Sequence, residues 1–206
     1  MYSQNEEEKH ILNYFNGKQS NSAYFNFLDV GANDGVTLSN TRSLFDTGRW
    51  NGVLVEPSPS AFQKLKENYR AMAGMYLYNF ALGTHNGEID FYDSGTHLNK
   101  GDIGLLSTAS EEDYNKWRGV TEFNKIKVKV FRYKTFLNRL KLKKFDFISC
   151  DAEGLDLDIL RQIDLRETSC VCVEWNSKQD LKTEFDKLMI GFKIIYTSNE
   201  NLIYAR

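Results

Sequence analysis

A chain of 206 residues, 41% of them hydrophobic, is long enough to bury one sizeable core and needs no second domain. A net charge of -2 and a pI near 6.0 exclude nucleic-acid binding that rests on overall positive charge. No apolar run approaches the roughly 20 residues that span a bilayer, and the acids Glu6, Glu7 and Glu8 are the opposite of a signal peptide's basic start, so a cytoplasmic single-domain protein is expected.

In chain order, Glu6 to Phe15 carries Ile11, Leu12 and Phe15 at helical spacing behind an acidic first turn, which predicts a covering helix. With the polar loop Gly17 to Ser22 it makes a leading segment over residues 1–22. The stretch Phe25-Asn26-Phe27-Leu28-Asp29-Val30-Gly31-Ala32-Asn33-Asp34-Gly35 then predicts a buried strand, a tight turn and a helix start. Gly31 and Gly35 allow bare main chain to approach a ligand, and Asn33 tolerates the left-handed backbone that such a turn uses. Thr37 to Phe45 predicts a helix over the sheet. Gly52 to Glu56 is a second short strand ending in an acid, Pro57 closes it, and Ser58 or Ser60 can cap a helix through Phe62, Leu65 and Tyr69. Strand, helix, strand, helix is the pattern of a parallel sheet.

Tyr76 to Leu82 predicts a third strand, with Ala81 and Leu82 placed beside the ligand, and Glu88 to Tyr92 a half-exposed one. Residues 94–124 are irregular, with His97 and a short amphipathic helix after Ser110, and are expected to be an inserted lid or substrate-contacting segment. His97 is either a substrate-side base or a surface histidine. Lys125, Lys127 and Lys129 alternate with apolar residues, which suits either a solvated strand face or a dock for an acidic substrate. A short helix through Phe136, Leu137 and Leu140 follows.

Phe145 to Cys150 is a buried strand that runs into Asp151-Ala152-Glu153-Gly154 and a helix through Leu155, Ile159 and Leu160. Cys170 to Val173 repeats the design and ends in Glu174-Trp175-Asn176. A helix through Leu181, Phe185 and Leu188 leads to a hairpin of Lys193 to Thr197 and Leu202 to Ala205. Cys150, Cys170 and Cys172 lie in apolar runs with no Cys-x-x-Cys pattern, which reads as buried thiols rather than zinc ligands or a nucleophile. Asp151, Glu174 and Asn176 are oxygen donors that would suit magnesium or calcium if any metal bound, but a metal-free carboxylate base is the favoured reading.

Taken together, Asp29-Val30-Gly31-Ala32-Asn33-Asp34-Gly35, Glu56-Pro57, Ala81-Leu82-Gly83, Asp151-Ala152-Glu153-Gly154 with Asp156 after it, Val173-Glu174 and Asn201-Leu202-Ile203-Tyr204 resemble the FkbM-type methyltransferases from about Phe25 to Arg206. The resemblance implies an α/β fold of the Rossmann-like class I methyltransferase kind: a mostly parallel sheet with a C-terminal antiparallel hairpin and helices on both faces. It also implies S-adenosylmethionine as donor and O-methylation of a hydroxyl on a sugar, polyketide or similar small metabolite. On it, Asp29, Gly31, Ala32, Asn33 and Gly35 line the methionine side, Glu56 with Pro57 holds the ribose, and Ala81 and Leu82 lie by the adenine. Asp151 and Glu153 stand next to the methyl group. His97, in the segment 94–124 that has no counterpart in the family, and Glu174 and Asn176, at the same rim, are placed on the substrate side by position and not by the resemblance. Two alternatives remain at this level: a non-catalytic module that keeps the fold, and a nicotinamide-dependent oxidoreductase. The glycine spacing differs from the dinucleotide fingerprint.

Overall fold

The computed structural model describes residues 1–20, 22–96 and 102–206. In chain order its elements are helix α1 (Glu7–Phe15), strand β1 (Phe25–Val30), α2 (Arg42–Asp46), β2 (Trp50–Val55), α3 (Pro59–Asn68), β3 (Met75–Tyr78), β4 (Ala81–Leu82), β5 (Gly87–Ser94), α4 (Glu111–Trp117), β6 (Phe123–Phe131), α5 (Tyr133–Leu137), β7 (Phe147–Cys150), α6 (Asp156–Leu160), β8 (Cys170–Glu174), α7 (Gln179–Leu188), β9 (Lys193–Thr197) and β10 (Asn201–Ala205).

Seven strands form one sheet in the order β3-β2-β1-β7-β8-β10-β9. Neighbouring pairs from β3 to β8 are parallel, and β10 enters antiparallel between β8 and β9. The expected parallel sheet with an antiparallel end is therefore the observed one. Its strands alternate between two faces, and both faces are apolar. Phe27, Leu54, Phe147 and Cys172 pack on one side with Ile11, Leu44 and Leu65 from α1, α2 and α3. Leu28, Val53, Ile148 and Val171 pack on the other with Phe136, Ile159 and Phe185 from α5, α6 and α7. Burial of each such side chain stabilises by roughly 1.5–3 kcal/mol, so the parallel strands are clamped from both sides and their tips hold their positions. Cys150, Cys170 and Cys172 are free thiols inside these cores.

Two expected elements differ. The helix expected from Thr37 begins only at Arg42, because side chains compete for the backbone before it. Asp34 Oδ1 accepts the N–H groups of Val36 (2.8 Å) and Thr37 (2.6 Å), and Leu38 takes a positive φ of 55°. The third strand expected from Tyr76 to Leu82 is split. Asn79 turns its amide onto the carbonyls of Glu56 (2.8 Å) and Pro57 (3.1 Å), so β3 stays with β2 while β4 joins a separate sheet of order β4-β6-β5. That second sheet starts before residue 94 and carries the irregular segment over the carboxyl ends of the parallel strands. Ser58 and Ser110 cap α3 and α4, accepting from Ala61 N (3.0 Å) and Asp113 N (3.2 Å).

Candidate active site

Register decides which residues meet. Val30 of β1 stands opposite Val55 of β2 and Cys150 of β7, and Cys150 stands opposite Val173 of β8. The next residue on each chain, Gly31, Glu56, Asp151 and Glu174, is therefore one row along one rim. Above this rim lies a cavity of about 700 Å³, in the range of small-molecule sites. Its wall includes Asp29, Gly31, Ala32, Asn33, Glu56, Pro57, Ala81 and Leu82 from the donor-side set, and Asp151, Glu153, Glu174 and Asn176. His97 lies outside the described residues.

Gly35 is the exception, since it is not part of the wall. Its carbonyl accepts from the Tyr69 hydroxyl at 3.0 Å, and a Cβ there would come within 2.4 Å of the Tyr69 ring. This glycine admits α3 packing rather than a ligand. Gly31, at φ 80°, admits the neighbouring strand end: a Cβ would lie 1.8 Å from the Asp151 carbonyl oxygen. The turn itself is tied to β2, with Gly31 N and Ala32 N donating to Val55 O at 2.9 and 3.1 Å.

Glu56 is buried, and its two carboxylate oxygens accept Ser58 N (2.7 Å) and Asn33 N (2.8 Å). A carboxylate offers about four acceptor positions, so two are left for hydroxyls entering from the cavity. With Phe80, Ala81 and Leu82 giving apolar surface next to it, this donor set fits an adenosyl group. Asn33 aims its amide at Ile103 O (3.1 Å) and so fastens the inserted segment to the glycine turn. Asp29 points inward and accepts from Thr41 Oγ1 at 2.6 Å.

At the β7 tip, Glu153 and Gly154 both have positive φ, 50° and 91°. Asp156 holds them there, accepting Ala152 N (3.0 Å) and Gly154 N (3.3 Å). Sequence reasoning quoted Asp156 in its motif but gave it no role. The amphipathic helix expected after Ser110, with Trp117 in it, is α4, which brings Trp117 to the cavity wall together with Asp113 and Lys116, two residues the sequence did not single out. Lys125 and Lys127 pair with Asp90 across the second sheet, at 3.1 and 2.6 Å, and neither lines the cavity. Among the described residues, no group of three or more His, Cys, Asp or Glu is placed to hold a metal ion, and no helix is long and apolar enough to cross a membrane.

Crowding these acids has an electrostatic cost. Burial raises the Asp29 carboxyl to about 6 and that of Glu56 to about 8. Asp156 is raised to about 7 and Glu174 to about 8, by burial first and then by neighbouring carboxylates. Asp151 opens onto the cavity, yet the surrounding protein and then Asp156, Asp29 and Glu56 raise it to about 7. Glu153 is pushed well above its ordinary range, again by burial and then by Asp151 and Glu174. Acids that bind protons more tightly when folded stabilise the fold at low pH and lose that contribution as pH rises through the folded values. The melting temperature of the unliganded protein should therefore fall between about pH 5 and pH 8, by roughly 10 °C in all. A flat or rising profile in calorimetric melts across that range would show that these carboxyls are not held up.

Residues 29–192 match the family model described as Methyltransferase FkbM domain. Over 135 residues the chain is 24% identical to the 2-O-methyltransferase NoeI of Sinorhizobium fredii, an alignment covering 65% of this chain and 55% of NoeI. Among solved structures it resembles methyltransferase FkbM from Methylobacillus flagellatus KT, with TM-score 0.56 and 13% identity, covering 96% of this chain and 47% of that one. It also resembles a human methyltransferase 10 domain containing protein, with TM-score 0.50 and 8% identity, covering 100% of this chain and 83% of the other. The two structural likenesses speak to the fold. The chain spans about half the length of NoeI and of the Methylobacillus protein.

Proposed function

We propose, because this chain belongs to the FkbM methyltransferase family, that it moves a methyl group from S-adenosylmethionine to a hydroxyl of a small acceptor such as a sugar. The observation that carries this is the single row of Gly31, Glu56 and Asp151, which sets a hydroxyl-accepting carboxylate and a base on the two sides of bare main chain. The name of the relative NoeI, a 2-O-methyltransferase, supports oxygen as the acceptor atom.

When bound, S-adenosylmethionine supplies an electrophilic methyl carbon on a sulfonium. The chain's own residues do the rest. Glu56 takes the two ribose hydroxyls on its remaining acceptor positions, and Gly31 and Ala32 offer main chain along the middle of the donor. Asp151 takes the proton of the attacking hydroxyl on a carboxylate oxygen. A carboxyl raised to about 7 is a better base at neutral pH than an ordinary aspartate. Glu153 and Glu174 orient the acceptor, and α4 closes that side of the cavity, limiting water at the reacting atoms.

The test has two parts. Calorimetry should show S-adenosylhomocysteine binding, and incubation with S-adenosylmethionine and a panel of sugars should release it. At pH 9, where the Glu56 carboxylate is formed, Glu56→Gln should weaken that binding about ten- to a hundredfold, the range expected for charge-assisted hydrogen bonds lost in a buried site. Binding without release of product on any acceptor would favour the non-catalytic module, and preference for a nicotinamide dinucleotide would overturn the donor assignment.

A further inference from the structure

Two buried carboxylates fasten residues 1–8 at the edge of the cavity. Glu7 is 0% exposed and accepts Asn5 N (2.7 Å), Asn201 Nδ2 (3.1 Å) and Ser198 Oγ (3.2 Å). Glu8 is 4% exposed and accepts Tyr2 N and Ser43 Oγ, both at 2.9 Å. Ser3 pairs with Leu38 in an isolated bridge, and Asn5 donates to Glu200 at 2.7 Å. The segment thus clasps the loop after β1 to the loop between β9 and β10, and the residue between its fastenings, Gln4, stands in the cavity wall. Gln4 is exposed at this wall, and among the described residues its amide has no hydrogen-bond partner, so it is free to meet a ligand.

We infer that Gln4 binds the amino-acid end of the donor and makes the site select for it, an inference that rests on the donor reading above. Strand order sets the direction. With the ribose at Glu56 on β2 and the middle of the donor over the β1 turn, the far end must lie over the β7 side. There Asn40 Nδ2 stands 3.5 Å from Ser149 Oγ of β7, and the segment that carries Gln4 is tied from Leu38 after β1 to Glu200 and Asn201 beyond β8, all three in the wall of the same cavity. An α-ammonium and an α-carboxylate need one acceptor and one donor. A carboxamide offers both without adding charge, which matches a group of zero net charge.

The test compares two probes with the same adenosyl thioether: S-adenosylhomocysteine, and 5′-methylthioadenosine, which lacks the amino-acid end. Gln4→Ala should weaken the first about tenfold, as for a hydrogen bond to a charged group, and leave the second unchanged. Glu7→Gln, which puts a donor among the donors that Glu7 accepts, should loosen the clasp and give the same selective loss while Gln4 is present. Equal loss on both probes with Gln4→Ala, or none on either, overturns the inference. A wild-type protein that binds neither probe sinks the donor reading and this inference with it; one that binds both while Gln4→Ala is neutral sinks this inference alone.

Discussion

Asp151→Asn is expected to lower methyl transfer about a thousandfold while leaving S-adenosylhomocysteine affinity within about twofold of wild type. General-base catalysis contributes on the order of a hundred- to ten-thousandfold, and the amide keeps the shape of the carboxylate while losing its basicity. In wild type the rate should climb with pH until the carboxylate is formed, at about 7, and then level. In the variant that rise should vanish. Stability gives an independent check, because a neutral side chain removes repulsion from Asp156, Asp29 and Glu56, so the melting temperature at pH 8 should hold or increase. Glu56→Gln should behave the other way, losing binding before turnover. Turnover that survives Asp151→Asn with its pH dependence intact would move the base to another residue, with Glu153 next in place.

Gly31→Ala should cost about 4 kcal/mol, the largest stability loss expected from adding a methyl group at any of the described glycines. Part is backbone strain, about 1 kcal/mol for a non-glycine residue at φ 80°. The remainder is collision with the Asp151 carbonyl oxygen at 1.8 Å, backbone that can yield only by parting β1 from β7; overpacking of this kind costs roughly 1–3 kcal/mol or more. Gly17→Ala separates the two terms. Gly17 has nearly the same φ, 75°, with nothing within 4 Å of the added methyl, and should lose only the strain. At roughly 2–4 °C per kcal/mol for a chain of this size, the two variants should melt several degrees apart. Equal losses would mean the strands adjust freely, and the rim would not be the fixed row on which the site depends.

How much of this was legible beforehand differs by residue. The strand ends at Val30, Val55, Cys150 and Val173 could be read because a buried parallel strand must be an apolar run, and an acid or glycine after it ends the run. Asp29 and Glu56 were visible for the same reason. The hairpin of β9 and β10 was visible from its own turn. The late start of α2 was hidden, since Thr37 to Phe45 has helical spacing and only the competing bonds of Asp34 hold its first turns open. Gly35 was read as facing the ligand because its spacing from Gly31 suits a turn, whereas the packing of Tyr69 claims it.

By itself, then, the sequence determined the apolar runs that become the parallel strands, the carboxylates that end them and the family the chain joins, because these follow from local apolar periodicity and from motif order. Only the tertiary structure decided that Gly31, Glu56, Asp151 and Glu174 share one row, that Asp156 and Asn33 fix the loops around them, and that Gln4 and α4 wall the cavity. Those facts depend on strand register and on hydrogen bonds between residues far apart in the chain, such as the one between Glu7 and Asn201. No local pattern encodes such contacts, because their free energy is gained only once both partners have been brought together by the rest of the fold.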